Sequence, residues 1–134
     1  MPRPRREYRI ELSRAGAMTT DRGYNLDVPP AWTPEHLVLA ALARCTMLAL
    51  EYHARREQLS AGVAATAYGE VDRREDDSWG FTRLDCTLDV VFDPVPSGED
   101  LNRLLDRAEH GCFVGASLTP KPAYRWRVNG VDFR

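Results

Sequence analysis

The stretch Thr33–Leu59, TPEHLVLAALARCTMLALEYHARREQL, decides the fold. Thr33 suits a helix N-cap, and Pro34 suits the first helical position, where its missing N–H would go unpaired in any case. From Leu37 to Leu50 every residue except Arg44 and Thr46 is apolar, and Leu, Ala and Met are strong helix formers. A helix apolar on all sides must be covered on more than one, so the rest of the chain or a partner wraps it. The apolar run is too short for a membrane span, and Arg44 interrupts it. Cys45 sits at its middle, ten residues after Glu35.

Outward from that helix, size and composition set bounds. At 134 residues the chain fits a single domain, 1–134, near the size at which dimerisation adds useful burial. A net charge of -2 and a pI near 5.9 give no electrostatic case for nucleic acid, and Lys121 is the only lysine. The opening MPRPRRE is basic but short and lacks the apolar core of a signal peptide. It reads as a frayed lead into the first strand, and the protein as cytoplasmic. Cys45, Cys86 and Cys112 form no CxxC pair and are odd in number. In a reducing compartment that argues against a disulfide framework and leaves free, metal-bound or redox-active thiols.

Before the helix, Tyr8, Ile10 and Leu12 alternate with Arg9 and Glu11 at the period of a half-buried strand. A second short strand can follow Ser13-Arg14-Ala15-Gly16. Asp21-Arg22-Gly23 makes a turn into the alternation Tyr24, Leu26, Val28, which Pro29-Pro30 ends. After the helix, Ser60-Ala61-Gly62 is the break, and Val63, Ala65, Ala67 and Val71 line one face of a strand. The acidic run Glu75-Asp76-Asp77 reads as a hairpin tip. The return strand puts Leu84, Cys86, Leu88, Val90 and Phe92 on one face and Arg83, Asp85, Thr87 and Asp89 on the other. Asp93-Pro94 stops it.

Ser97 with Asp100 resembles a capping box. Leu101, Leu104, Leu105 and Ala108 then form the stripe of an amphipathic helix, capped at Gly111. Phe113 to Pro122 reads as a turn-rich connector. Tyr124, Trp126 and Val128 alternate in a closing strand that Val131 to Arg134 can extend. The order βββ-α-ββ-α-β gives an α+β fold with a mainly antiparallel sheet around the long helix.

Each candidate residue has an ordinary structural explanation beside the chemical one. Cys86 is in phase with Leu84 and Leu88 and acts as a small core hydrophobe. Cys45 taken alone reads the same way. Cys112 follows a helix end, in Glu109-His110-Gly111-Cys112, where a cleft-lining thiol is as reasonable as a buried one. Spacing alone does not tell whether Cys45 and Cys112 meet. No cysteine or histidine pair has the close spacing of a zinc site, so no metal is expected. His36 and His53 suit surface or capping positions. No Ser/His/Asp signature, phosphate loop or dinucleotide fingerprint occurs, and no cofactor is implied.

Thr33-Pro34-Glu35-His36-Leu37 followed by Ala40-Ala41-Leu42-Ala43-Arg44-Cys45 resembles the PEELL…AALAxC helix of the OsmC/Ohr family of organic hydroperoxide-reducing proteins. The later amphipathic helix, Glu109-His110-Gly111-Cys112, the small residues through Ser117-Leu118 and the closing strand fit it too. The resemblance implies an intertwined homodimer with two sites at the subunit interface. By position it makes Cys45 the peroxide-attacking cysteine, Cys112 the resolving cysteine and Glu35 the carboxylate that orients a catalytic arginine. Arg14, in Ser-Arg-Ala-Gly, best resembles the Gly-Gly-Arg-Asp-Gly stretch that supplies this arginine. The two glycines are absent here, and Arg22 is the alternative. The glycine-rich loop before the helix is shortened to Pro29-Pro30-Ala31-Trp32.

Geometry adds an independent point. Ten helical residues rise about 15 Å, so Glu35 and Cys45 of one helix cannot touch, and a shared site draws them most simply from two subunits. The chemistry so implied is thiol-based. An arginine held by Glu35 favours the Cys45 thiolate, which attacks an organic hydroperoxide; Cys112 closes a disulfide, and an external dithiol of lipoyl type or a small thiol reopens it. Trp32, Met47 or Phe113 would supply apolar walls. A redox sensor built on the same disulfide, or a non-catalytic dimeric binding module, is the alternative; steady-state peroxide consumption with a dithiol separates them.

Overall fold

The computed structural model describes residues 4–134; the first three residues of the basic lead lie outside it. The chain forms two compact units, one up to Pro34 and one from Glu35 to Arg134. The first is an antiparallel three-stranded sheet of β1 (Ile10–Leu12), β2 (Met18–Thr20) and β3 (Asn25–Leu26), in register through Ile10↔Thr20 and Met18↔Leu26. Gly16 and Gly23, at φ +89° and +83°, close its two turns in the left-handed region that glycine occupies without strain. The predicted alternation is present, but the predicted half-burial is not. Tyr8, Ile10, Leu12, Tyr24 and Leu26 are all exposed, because strands of two or three residues bring no second layer of their own to cover an apolar face.

The second unit opens with the expected helix, α1 (Pro34–Arg56), directly after Thr33. It ends earlier than the sequence reading placed it. Gln58 adopts a left-handed backbone (φ 60°) and Leu59 N–H turns back 2.9 Å to the Ala54 carbonyl, so Ser60-Ala61-Gly62 opens the next strand instead of breaking the helix. At 23 residues α1 is long and apolar enough to cross a membrane by length and composition alone. One stripe of it packs into the core: Leu42, Thr46, Leu50 and Ala54, four apart, are buried. The opposite side is open in the single chain, with Leu48 at 48% and Tyr52 at 47% exposure.

β4 (Ser60–Arg73) and β5 (Trp79–Asp93) make a long antiparallel hairpin, with a register shift between Glu70 and Val71. At its tip Asp77 takes a positive φ, and Asp76 accepts from the Ser78 N–H and hydroxyl. α2 (Gly98–His110) follows Ser97, whose hydroxyl donates to the Asp100 carboxylate (3.0 Å) and caps no backbone N–H. Gly111 ends α2 in a right-handed conformation; a Cβ there would press on the Arg107 carbonyl oxygen. The connector read as turns contains a further helix, α3 (Phe113–Ser117), with Cys112 as its N-cap.

β6 (Ala123–Val128) then pairs with β5 in parallel, Cys86 beside Tyr124, and β7 (Val131–Asp132) closes an order β4-β5-β6-β7. The fold is α+β, as expected. The β5–β6 pair departs from the antiparallel pattern because α2 and α3 carry the chain back across the sheet. Leu42 and Leu50 of α1, Leu88, Val90 and Phe92 of β5, Leu104 and Leu105 of α2 and Trp126 of β6 share one buried cluster. Each such side chain contributes about 1.5–3 kcal/mol of burial, so the cluster fixes how α1 and the α2–α3 crossover meet.

Candidate functional site

Cys45 and Cys112 come together. α1 turns Cys45 partly toward solvent, one position before the buried Thr46. The α2–α3 junction sets Cys112 against it with no exposed surface, and no disulfide joins the three cysteines. Around Cys112 Sγ lie several polar groups, the Cys45 thiol and the Tyr124 hydroxyl among them. Gly115 N–H donates to this sulfur at 3.3 Å, the usual bond of an N-cap side chain, and Thr46 Oγ1 lies 3.3 Å away.

Several influences act on the Cys45 thiol. Burial is the largest and pushes it above the ordinary cysteine value. Hydrogen bonding from the Val114 backbone, and to a lesser extent from Phe113, lowers it, while Cys112 raises it by hydrogen bonding and by charge. The net result is upward, so these surroundings alone favour the thiol over the thiolate that would act as nucleophile.

Cys86 is a core residue, as its strand phase indicated, but it is also a neighbour of the pair. Burial pushes its thiol up to about 11, against a lowering hydrogen bond from Thr46 and a raising charge effect of Cys112. Tyr124, paired with Cys86 across β5 and β6, brings its hydroxyl to the same place. Burial first, then the Cys112 charge, moves the phenol upward. A Cβ at Gly115 would run into this hydroxyl, so only glycine fits.

Among the other predicted residues, Glu35 lies exposed in the first turn of α1. Ten residues of the same helix separate it from Cys45, about 15 Å along the axis. Within one chain the two do not meet. Arg14 and Arg22 are exposed, in the β1–β2 and β2–β3 turns of the N-terminal unit. Among the described residues no group of three or more His, Cys, Asp or Glu side chains is disposed to hold a metal ion.

Thr46, Gly115 and Tyr124 were not singled out as site residues from sequence. Thr46 did carry a signal: it is a polar interruption in an apolar helix, four residues after Leu42, where a buried hydroxyl needs a partner. Gly115 and Tyr124 carried none, since their roles arise from a close approach between α3 and β6.

A half-buried thiol against a fully buried one, with backbone N–H groups directed at both, can form a disulfide on oxidation. The fold agrees with solved structures. An OsmC-like protein of unknown function from Vibrio cholerae superposes with a TM-score of 0.71 at 19% identity, over 83% of this chain and 82% of that one. An organic hydroperoxide resistance protein from Elizabethkingia anophelis gives 0.64 at 15% identity, over 95% and 98%. The organic hydroperoxide resistance protein OhrB of Bacillus subtilis gives 0.53 at 20% identity, over 92% and 96%. No curated protein matches the sequence. The model of the OsmC-like protein family matches residues 26–127, which include Glu35 and all three cysteines, and the chain belongs to that family.

Proposed function

We propose that the protein is a thiol-dependent peroxidase that reduces organic hydroperoxides, with Cys45 attacking and Cys112 resolving. The observation that carries this reading is the meeting of a partly exposed Cys45 with a buried Cys112. Family membership and the likeness to hydroperoxide resistance proteins support it.

In the proposed cycle the Cys45 thiolate attacks the outer peroxide oxygen, and the O–O bond breaks. The inner oxygen takes a proton and leaves as the alcohol, and Cys45 becomes a sulfenic acid. Cys112 sulfur attacks the sulfenic sulfur; the hydroxyl leaves with the Cys112 proton as water, and a disulfide remains. An external dithiol reduces it by two exchange steps. Because the surroundings within the second unit raise the Cys45 thiol, the cycle needs a cation beside it. Arg14 is the proposed source, with Arg22 the alternative, held by a Glu35 carboxylate. As Glu35 and Cys45 of one chain are too far apart, the proposed unit is a homodimer in which two chains complete each site. The cytoplasm is its proposed location. Trp32, Met47 or Phe113 supplies apolar surface for the organic part of the peroxide.

Intact mass after one equivalent of cumene hydroperoxide tests the cycle. The wild type should lose about two daltons, the hydrogen lost on disulfide closure. Cys112→Ser should gain oxygen at Cys45 and stop turning over with dithiothreitol. Cys45→Ser should be inert, and Cys86→Ser should keep most of the activity. Normal turnover by Cys112→Ser would make Cys112 a structural helix-end residue and overturn the two-cysteine cycle.

A further inference from the structure

Thr46 is the one polar side chain that is fully buried among the described residues. Burying a hydroxyl without partners costs a few kcal/mol, so its partners matter. Its Oγ1 lies 2.9 Å from the Leu42 carbonyl oxygen and 3.3 Å from Cys112 Sγ. A hydroxyl has one hydrogen, which Thr46 can donate either to the Leu42 carbonyl, the back-bond of a helical threonine, or to Cys112 Sγ. A thiolate at Cys112 is the charged and therefore the stronger acceptor of the two. Gly115 N–H is a second donor to the same sulfur, and the Tyr124 hydroxyl and the Cys45 thiol also lie against it.

We infer that Thr46 is a positioning residue for disulfide closure: its hydroxyl donates to Cys112 Sγ and supports that sulfur as the thiolate that attacks oxidised Cys45. This rests on the reading of Cys45 and Cys112 as attacking and resolving thiols. Thr46 touches no peroxide and takes no part in the first oxidation. Its effect belongs to the second step, in which Cys112 sulfur bonds to Cys45 sulfur and the sulfenic hydroxyl leaves with the Cys112 proton as water.

The test separates the two steps and the two claims. Thr46→Val keeps the shape and loses the hydroxyl, Thr46→Ser keeps the hydroxyl, and Thr46→Ala is a second hydroxyl-free variant. With cumene hydroperoxide, Thr46→Val and Thr46→Ala should oxidise Cys45 at the wild-type rate. They should close the disulfide about tenfold more slowly, the effect of one lost hydrogen bond, and dimedone should trap the accumulated sulfenic acid. Thr46→Ser should restore closure to within about threefold. Diamide, which drives closure of the same thiol pair without peroxide, should show the same order among the variants. Closure at the wild-type rate in both hydroxyl-free variants, under either oxidant, overturns the role of Thr46. A wild type that closes with diamide but leaves cumene hydroperoxide unconsumed overturns the peroxidase reading instead, and the diamide rates still decide on Thr46.

Discussion

A methyl group added at Gly115 would collide with the Tyr124 hydroxyl and stand 3.3 Å from Cys112 Sγ and 3.5 Å from Leu42 Cδ1. A phenol hydroxyl is the far end of a side chain, but Tyr124 is half-buried in β6 and must shift to admit the methyl. Gly115→Ala is therefore expected to cost about 1–3 kcal/mol through overpacking, measured as a lowered denaturation midpoint. Tyr124→Phe removes the colliding oxygen, so the double variant should recover much of the loss. Additive losses would mean that the clash is relieved elsewhere. Nothing in the sequence announced this position. Cys45 and Cys112 could be paired only through the family resemblance, because each has an ordinary core explanation and contact between distant residues leaves no local pattern.

Elements were read more securely where their burial is periodic. The strand carrying Leu84, Cys86, Leu88, Val90 and Phe92 has the predicted face buried, and so does the stripe Leu101, Leu104, Leu105 and Ala108 of α2. α3 escaped because five residues are too few to show a helical period and include Gly115, a poor helix former. The parallel pairing of β6 escaped because alternation shows which face is buried and not which neighbour is chosen. α3 matters to the chemistry, since its first backbone groups lower the Cys45 thiol against burial and Cys112. That balance is upward, so without a cation the surroundings favour the Cys45 thiol over the thiolate. Iodoacetamide alkylation follows the thiolate and rises with pH. If one of the two proposed arginines stands beside Cys45, Arg14→Ala or Arg22→Ala should move the Cys45 alkylation profile to higher pH than that of the wild type. Identical profiles in all three proteins would remove both arginines from the site.

At the scale of the whole molecule, the single chain leaves much apolar surface open. Ile10, Leu12, Tyr24 and Leu26 of the N-terminal unit are more than half exposed, and Leu48 and Tyr52 lie on the outward side of α1. Surface of this kind is commonly closed by association, in line with the sequence argument that a helix apolar all round needs cover beyond its own chain. Sedimentation should show a dimer at micromolar concentration. Leu48→Glu, which places a charge on the open side of α1, should shift it toward monomer and lower peroxide turnover. A stable wild-type monomer with full activity would refute the two-chain site.

The parallel pairing of β6 with β5 also orders events in time. The β4–β5 hairpin joins neighbours in sequence and can form within microseconds. Thr46 and Cys112 are 66 residues apart, and their contact must wait for the crossover to dock and β6 to seat beside β5. A chain caught before that step carries three thiols with no defined partner, open to whichever oxidant or thiol arrives first. Competence to close the Cys45–Cys112 pair is thus a late mark of maturation, and the speed of closure during refolding serves as a clock for it.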